Sequence, residues 1–203
     1  MEYSLGKPAA PSEAKCCLLS VKSFSTSKWY NNFMYLYHFV PQDQNGKILY
    51  PLNQLKTNNL ELYKKHFAKY DLIQEKDVKI PTFGYWNDCI NLMPVSPDLV
   101  KAELEKFGHD TNWKWEFYKI DSSKLHQSKL IIMVPTDGGN TFSREFIKFN
   151  QENIDKYCHI GEVTRYRFQK AKNMDEQPNT FAGIPHVLYK DNIDTANLEI
   201  IKL

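Results

Sequence analysis

The chain is poor in the residues that build phosphate-cradling loops. Its eight glycines form neither G-x-G-x-x-G nor G-x-x-x-x-G-K-[ST], which excludes the Rossmann fingerprint and the P-loop. G-x-S-x-G and H-E-x-x-H are also missing, so the hydrolase nucleophile elbow and the zincin helix are excluded. Four cysteines (Cys16, Cys17, Cys89, Cys158) fall at no zinc-finger spacing. An adjacent pair is a poor start for a disulfide framework, and reduced thiols in a cytosolic protein are expected. The six histidines are scattered and Cys158-His159 has no partners at zinc spacing, so no metal site is expected from spacing. No apolar run approaches the ~18 residues of a membrane helix, and no basic stretch leads into a cleavable apolar segment. A soluble, unprocessed, cytoplasmic protein without membrane contact is the expectation. Charge of one sign is lacking too: 26 basic against 24 acidic residues leave +2, with no whole-protein pull toward nucleic acid.

What is present is a core and an aromatic excess. Hydrophobic residues make up 42% and aromatics 14% of 203 residues, enough for one packed domain. Residues 1–14, with two prolines and no period, read as a flexible leader, which leaves residues 15–203 as a single α+β domain. Cys16 to Val21 reads as a first strand. Phe33 to Val40 reads as a stronger one, apolar on both faces and therefore buried between layers. Leu60, Tyr63, Phe67 and Tyr70 share a helical face, with Asn58 or Asn59 as N-cap. Ile80 to Pro97 reads as irregular backbone around one short strand. Ser96-Pro97-Asp98 opens a helix with Val100, Leu104 and Phe107 inward, and Gly108 stops it. Further strands are expected at 115–120, 129–134, 163–168, 186–190 and 198–202. One helix is expected among them, capped by Ser143, with Phe146, Ile147, Ile154 and Tyr157 inward. Helices early and strands late, without regular alternation, argue for α+β.

Two histidines have addresses of interest. His38 lies in Tyr35-Leu36-Tyr37-His38-Phe39-Val40, and His186 lies between Ile184-Pro185 and Val187-Leu188-Tyr189. A polar ring in an apolar strand must find a partner. Either each bonds a backbone carbonyl in the core, or the two share a cleft. Arg165-Tyr166-Arg167-Phe168-Gln169-Lys170-Ala171-Lys172 mixes cations and rings in a way that pairs phosphates and stacks on bases. It reads equally as an amphipathic edge strand with Tyr166 and Phe168 inward. Asp137-Gly138-Gly139 reads as a strand-to-helix connection.

The order of these pieces resembles the ADP-ribosyltransferase superfamily, in particular the bacterial DarT-type toxins that modify single-stranded DNA. Tyr37-His38-Phe39 resembles the first-strand motif whose histidine bonds the adenosine ribose of NAD. Leu130 to Gly138 resembles the strand before a T-D-G turn. Ile184 to Lys190, with Ile193 and Leu198 to Ile201, is similar in layout to the closing pattern. The resemblance covers roughly the last 85 residues and a short piece around His38. It implies a split mixed or antiparallel sheet with flanking helices, and NAD as substrate. His38 and His186 become the catalytic candidates, with Tyr37, His38, Tyr70, Tyr85 and Trp86 around the nucleotide. Thr136, Asp137, Asn140, Arg165 and Arg167 would lie toward an acceptor, nucleic acid among the candidates.

This sequence departs from the family at two points. The catalytic glutamate falls at His186, and no arginine precedes Arg144. Three functions follow: an ADP-ribosyltransferase run without that glutamate, an inactive nucleotide- or partner-binding module of the same fold, and a two-histidine acid/base enzyme acting on a phosphodiester.

Overall fold

In the computed structural model the described residues are 34–44, 46–70, 78–136, 144–178, 180–181 and 183–203, without the side chains of 67–70. Short apolar-rich segments build two antiparallel sheets. The first orders β1 (Tyr35–Phe39), β6 (Glu116–Asp121) and β11 (Glu199–Lys202) as β1-β6-β11. The second orders β5 (Ile90–Leu92), β9 (His186–Tyr189), β7 (Leu130–Pro135) and β8 (Arg144–Lys148) as β5-β9-β7-β8. Tyr37 and Met93 join the sheets by two reciprocal backbone hydrogen bonds of 2.8 Å. Two short ladders complete the strands: β2 (Ile48–Leu49) with β10 (Ile193–Asp194), and β3 (Lys79–Ile80) with β4 (Gly84–Tyr85). The fold is α+β, as composition and element order imply.

Among the described residues five α-helices accompany the sheets. These are α1 (Leu52–Asn58), α2 (Leu60–Tyr70), α3 (Pro97–Lys106), α4 (Gln151–Asp155) and α5 (Glu162–Asn173). The Asn59 side chain accepts the Leu62 amide at 3.1 Å and so caps α2, as the sequence suggests. The apolar face differs from the expected one, with Leu62 buried and Leu60 49% exposed. In α3 the expected Val100 and Leu104 are fully buried, and Gly108 follows at φ +72.

Side-chain alternation sends the two sheet faces to different cores. Leu36, Leu92, Tyr118, Ile132 and Val187 pack together on one face. On the other lie two clusters. One contains Met93, Phe117, Phe168 and Ile184, with Tyr37 against it. The other contains Ile80, Trp86, Cys89, Met133 and Leu188.

Three expectations are corrected. Residues 163–168 are not a strand but the heart of α5. Thr164 and Phe168, four apart, are the buried positions, while Tyr166 is 54% exposed. Arg-Tyr-Arg-Phe mimics a period of two, but acid in the first turn and lysines in the last suit a helix dipole. The helix expected around Phe146 and Ile147 is the strand β8. Those two residues join clusters on opposite faces of the sheet, which a strand allows and one helical face does not. The short α4 that follows is capped by Asn150, whose side chain accepts the Asn153 amide at 2.8 Å. The element after β7 is therefore a strand and not a helix; Asp137, Gly138 and Gly139 lie outside the described residues. Finally, β1 is not sealed between layers, since Tyr35 and Phe39 are 41% and 39% exposed. Cys16 to Val21, residues 1–14 and Ser143 lie outside the described residues.

Candidate functional site

His38 stands on β1, opposite Tyr118 of β6. Its Nδ1 lies 2.6 Å from the Phe39 carbonyl. A carbonyl only accepts, so the proton sits on Nδ1 and Nε2 carries the lone pair. The ring is crowded: burial pushes its pKa down to about 4, the Phe39 carbonyl pulls the other way, and His66 of α2 lowers it further.

His186 opens β9, and a different set of contacts surrounds it. Gly183, at φ +86, turns the chain just before it, in a conformation that favours glycine. The buried Thr164 hydroxyl of α5 donates to the Gly183 carbonyl at 2.9 Å. A Cβ on Gly183 would meet Arg167 Cδ at 3.1 Å and Thr164 Cα at 3.3 Å. The loop entering β9 is thus seated on α5. Nδ1 of His186 is sealed from solvent and makes no hydrogen bond. Burial pushes this pKa down to about 4 as well; a hydrogen bond to the Ile184 carbonyl raises it, and the lesser effect of the Arg144 charge lowers it further. Both imidazoles are neutral at pH 7.

The structure does not bring the two histidines to one face. His38 follows Leu36 by two residues and shares its side of β1, whereas His186 precedes Val187 and points to the opposite side of β9. Leu36 and Val187 belong to one cluster. An acid/base pair of His38 and His186 is therefore not what this geometry offers. Tyr37 does lie on the His186 face: it pairs with Met93 and packs in the Met93 cluster. Burial raises its phenol pKa, while a hydrogen bond to the Ser96 side chain opposes that shift.

The remaining candidates divide. Trp86 is 6% exposed and packs among Ile80, Cys89, Met133 and Leu188, so it is a core residue and not a stacking platform. Tyr85 is 48% exposed. Thr136 is exposed, while Asp137, Asn140 and the Tyr70 side chain lie outside the described residues. Arg165 donates through Nε to Glu103 at 2.8 Å. Together with Lys106, whose hydrogen bond has the larger effect, it holds that carboxyl below the usual range. Lys172 donates to the Gly108 carbonyl at 2.7 Å, and Arg167 packs against Gly183. Most of the basic stretch 165–172 is thus engaged by its own fold, and Tyr166 is the ring it presents outward. A hollow of about 750 Å³ lies between α2 and the loop after β1, lined by Gln42, Asp43, Gln44, Glu61, Lys64 and Lys65, with neither histidine in its wall.

Sequence reading missed Asn91, Thr164 and Gly183. Asn91 Oδ1 is another buried atom without a hydrogen bond; in the sequence it is one polar residue in a short apolar strand. A glycine immediately before an I-P-H run was the legible signal for the turn. Among the described residues no three His, Cys, Asp or Glu side chains gather as a metal site, and no helix is long and apolar enough to cross a membrane. Compared with known proteins, the chain matches no family model, no curated protein and no solved structure.

Proposed function

We propose that this chain is a nucleotide-binding module with an ADP-ribosyltransferase-like layout, which holds NAD or ADP-ribose on the His186 face without transferring the ADP-ribosyl group. Two sheets meeting, among the described residues, at the Tyr37–Met93 bridge are compatible with a split-sheet arrangement. The observation that carries the reading is electrostatic. β8 sets Arg144 opposite Pro135 of β7, two residues along from Met133, which faces His186, so a cation whose charge lowers the His186 pKa stands where transfer requires a carboxylate. Departure of nicotinamide develops positive charge on the ribose, and groups are catalytic only if they favour that charge. A guanidinium and a neutral imidazole disfavour it, but they suit the pyrophosphate of a bound dinucleotide. NAD is in this reading a ligand, and His186 and Tyr37 hold it through hydroxyl contacts.

Calorimetric titration with NAD and with ADP-ribose, paired with an assay for released nicotinamide, tests this. The expected result is saturable binding of both ligands with no release. Arg144→Gln should weaken both ligands alike. Release of nicotinamide would reinstate the transferase, and absence of binding to either ligand would overturn the module.

A further inference from the structure

His186 has unusual neighbours across the sheet. On one side β7 sets Met133 directly opposite it. On the other, β5 pairs Leu92 with Val187, and continuing that register by one residue carries Met93, just past the end of β5, across from His186. Opposed residues of an antiparallel pair project from one face with Cβ atoms about 4.5–5.5 Å apart. Met93, His186 and Met133 therefore stand in a row across three strands, with the imidazole in the middle. Met93 is 4% and Met133 7% exposed. They belong to separate clusters, so His186 stands between a residue of each. Its sealed, unpartnered Nδ1 is a position that native polar atoms seldom hold without a partner.

We propose that Met93, His186 and Met133 form a soft-metal site that takes monovalent copper through two thioether sulfurs and the Nδ1 lone pair. Thioethers and imidazole are the ligand types that select Cu(I). Methionine side chains turn about three bonds and can close on an ion from either flank. The imidazole carries its proton on Nε2 when Nδ1 ligates, and nothing is oxidised or reduced. A site with three neutral ligands lacks the thiolates, carboxylates or multiple imidazoles of structural zinc sites. The Arg144 charge repels a divalent ion twice as strongly as a monovalent one. The inference goes beyond nucleotide binding and does not depend on it.

Silver(I) is the redox-inert probe, added to the full chain carrying 13C-labelled methionine methyls. Four cysteines compete for it, so the titration runs past four equivalents. The Met93 and Met133 methyl resonances are expected to move together and saturate at the same silver concentration, and to stay still with zinc(II). His186→Gln should weaken the joint shift at least tenfold. Met93→Leu should weaken the Met133 shift similarly; leucine keeps the volume and hence the fold. Resonances that stay unmoved after the thiols are filled would overturn the site, as would joint shifts that survive His186→Gln.

Discussion

The regions around His38 and His186 begin alike and end differently. Each histidine sits in a near-continuous apolar strand, and protein packing pushes each imidazole down to about 4. His38 resolves its burial locally, giving its Nδ1 proton to the next residue's carbonyl at 2.6 Å. His186 has no such partner at Nδ1 and depends on distant segments: α5 seats the loop before it, β8 brings Arg144 near, β7 sets Met133 opposite it, and Met93 follows directly on β5. Similar sequence context therefore specifies burial without specifying how the buried group is satisfied. A locally satisfied histidine reads as structural, and an unsatisfied one marks where ligand chemistry is to be sought.

The comparison assumes that both regions share one core, and the largest expected effect tests this. Leu92 is fully buried in the cluster that contains both Leu36 beside His38 and Val187 beside His186. Leu92→Ala should cost about 2–5 kcal/mol, measured by urea denaturation, and leave a single cooperative transition. Two separated transitions would mean that the regions are energetically independent.

A smaller effect isolates the His186 side. Thr164→Val keeps the volume but removes the donor to the Gly183 carbonyl, and should destabilise by about 1–3 kcal/mol, while Thr164→Ser should recover most of the loss. The His38 environment should be untouched, with its imidazole NMR signals unmoved. If they shift with those of His186, the two histidines are coupled and the contrast collapses.

The pH dependence is expected to be common to both regions. Each folded pKa is depressed from 6.5 to about 4, so between those values the unfolded chain binds more protons than the folded one. Stability is then full above about pH 6.5 and declines as pH falls toward 4. His38→Gln and His186→Gln should each flatten part of that decline in pH-dependent denaturation. A variant whose slope matches the parent would show that its histidine is already charged in the fold.

The smallest effect lies at the His38 side, where α2 carries His66. Asn59→Ala removes the cap of α2 and should cost about 1 kcal/mol, with a small rise in the His38 pKa as His66 moves away. An unchanged pKa after measurable fraying would free His38 from any influence of α2.

Much of the fold was legible because its signals are local. Ser96-Pro97-Asp98 with Val100 and Leu104 specify α3 by capping chemistry and a period near four, and Leu130 to Pro135 specify β7 by continuous apolar character. Failures fell where two periods fit the same letters. Arg165 to Phe168 alternate like a strand, yet Thr164 and Phe168 together find a core only as a helix. Phe146 and Ile147 look like a helix face, but cores on both sides of the sheet let a strand bury each separately. The site was legible in its residues and not in its grouping. His186 and Tyr37 could be picked out, whereas Trp86 and Arg165 are absorbed by packing and an ion pair.

The sequence by itself determined the class of fold, the absence of the glycine-rich phosphate loops, and the placing of the two histidines in apolar strands. These follow from composition and from periodicity along a few residues. Only the tertiary structure decided that the histidines face opposite ways, that β8 brings Arg144 near His186, and that β7 sets Met133 opposite it. Strand register and sheet order set these relations, and they join residues up to about a hundred positions apart, beyond the range over which local patterning acts.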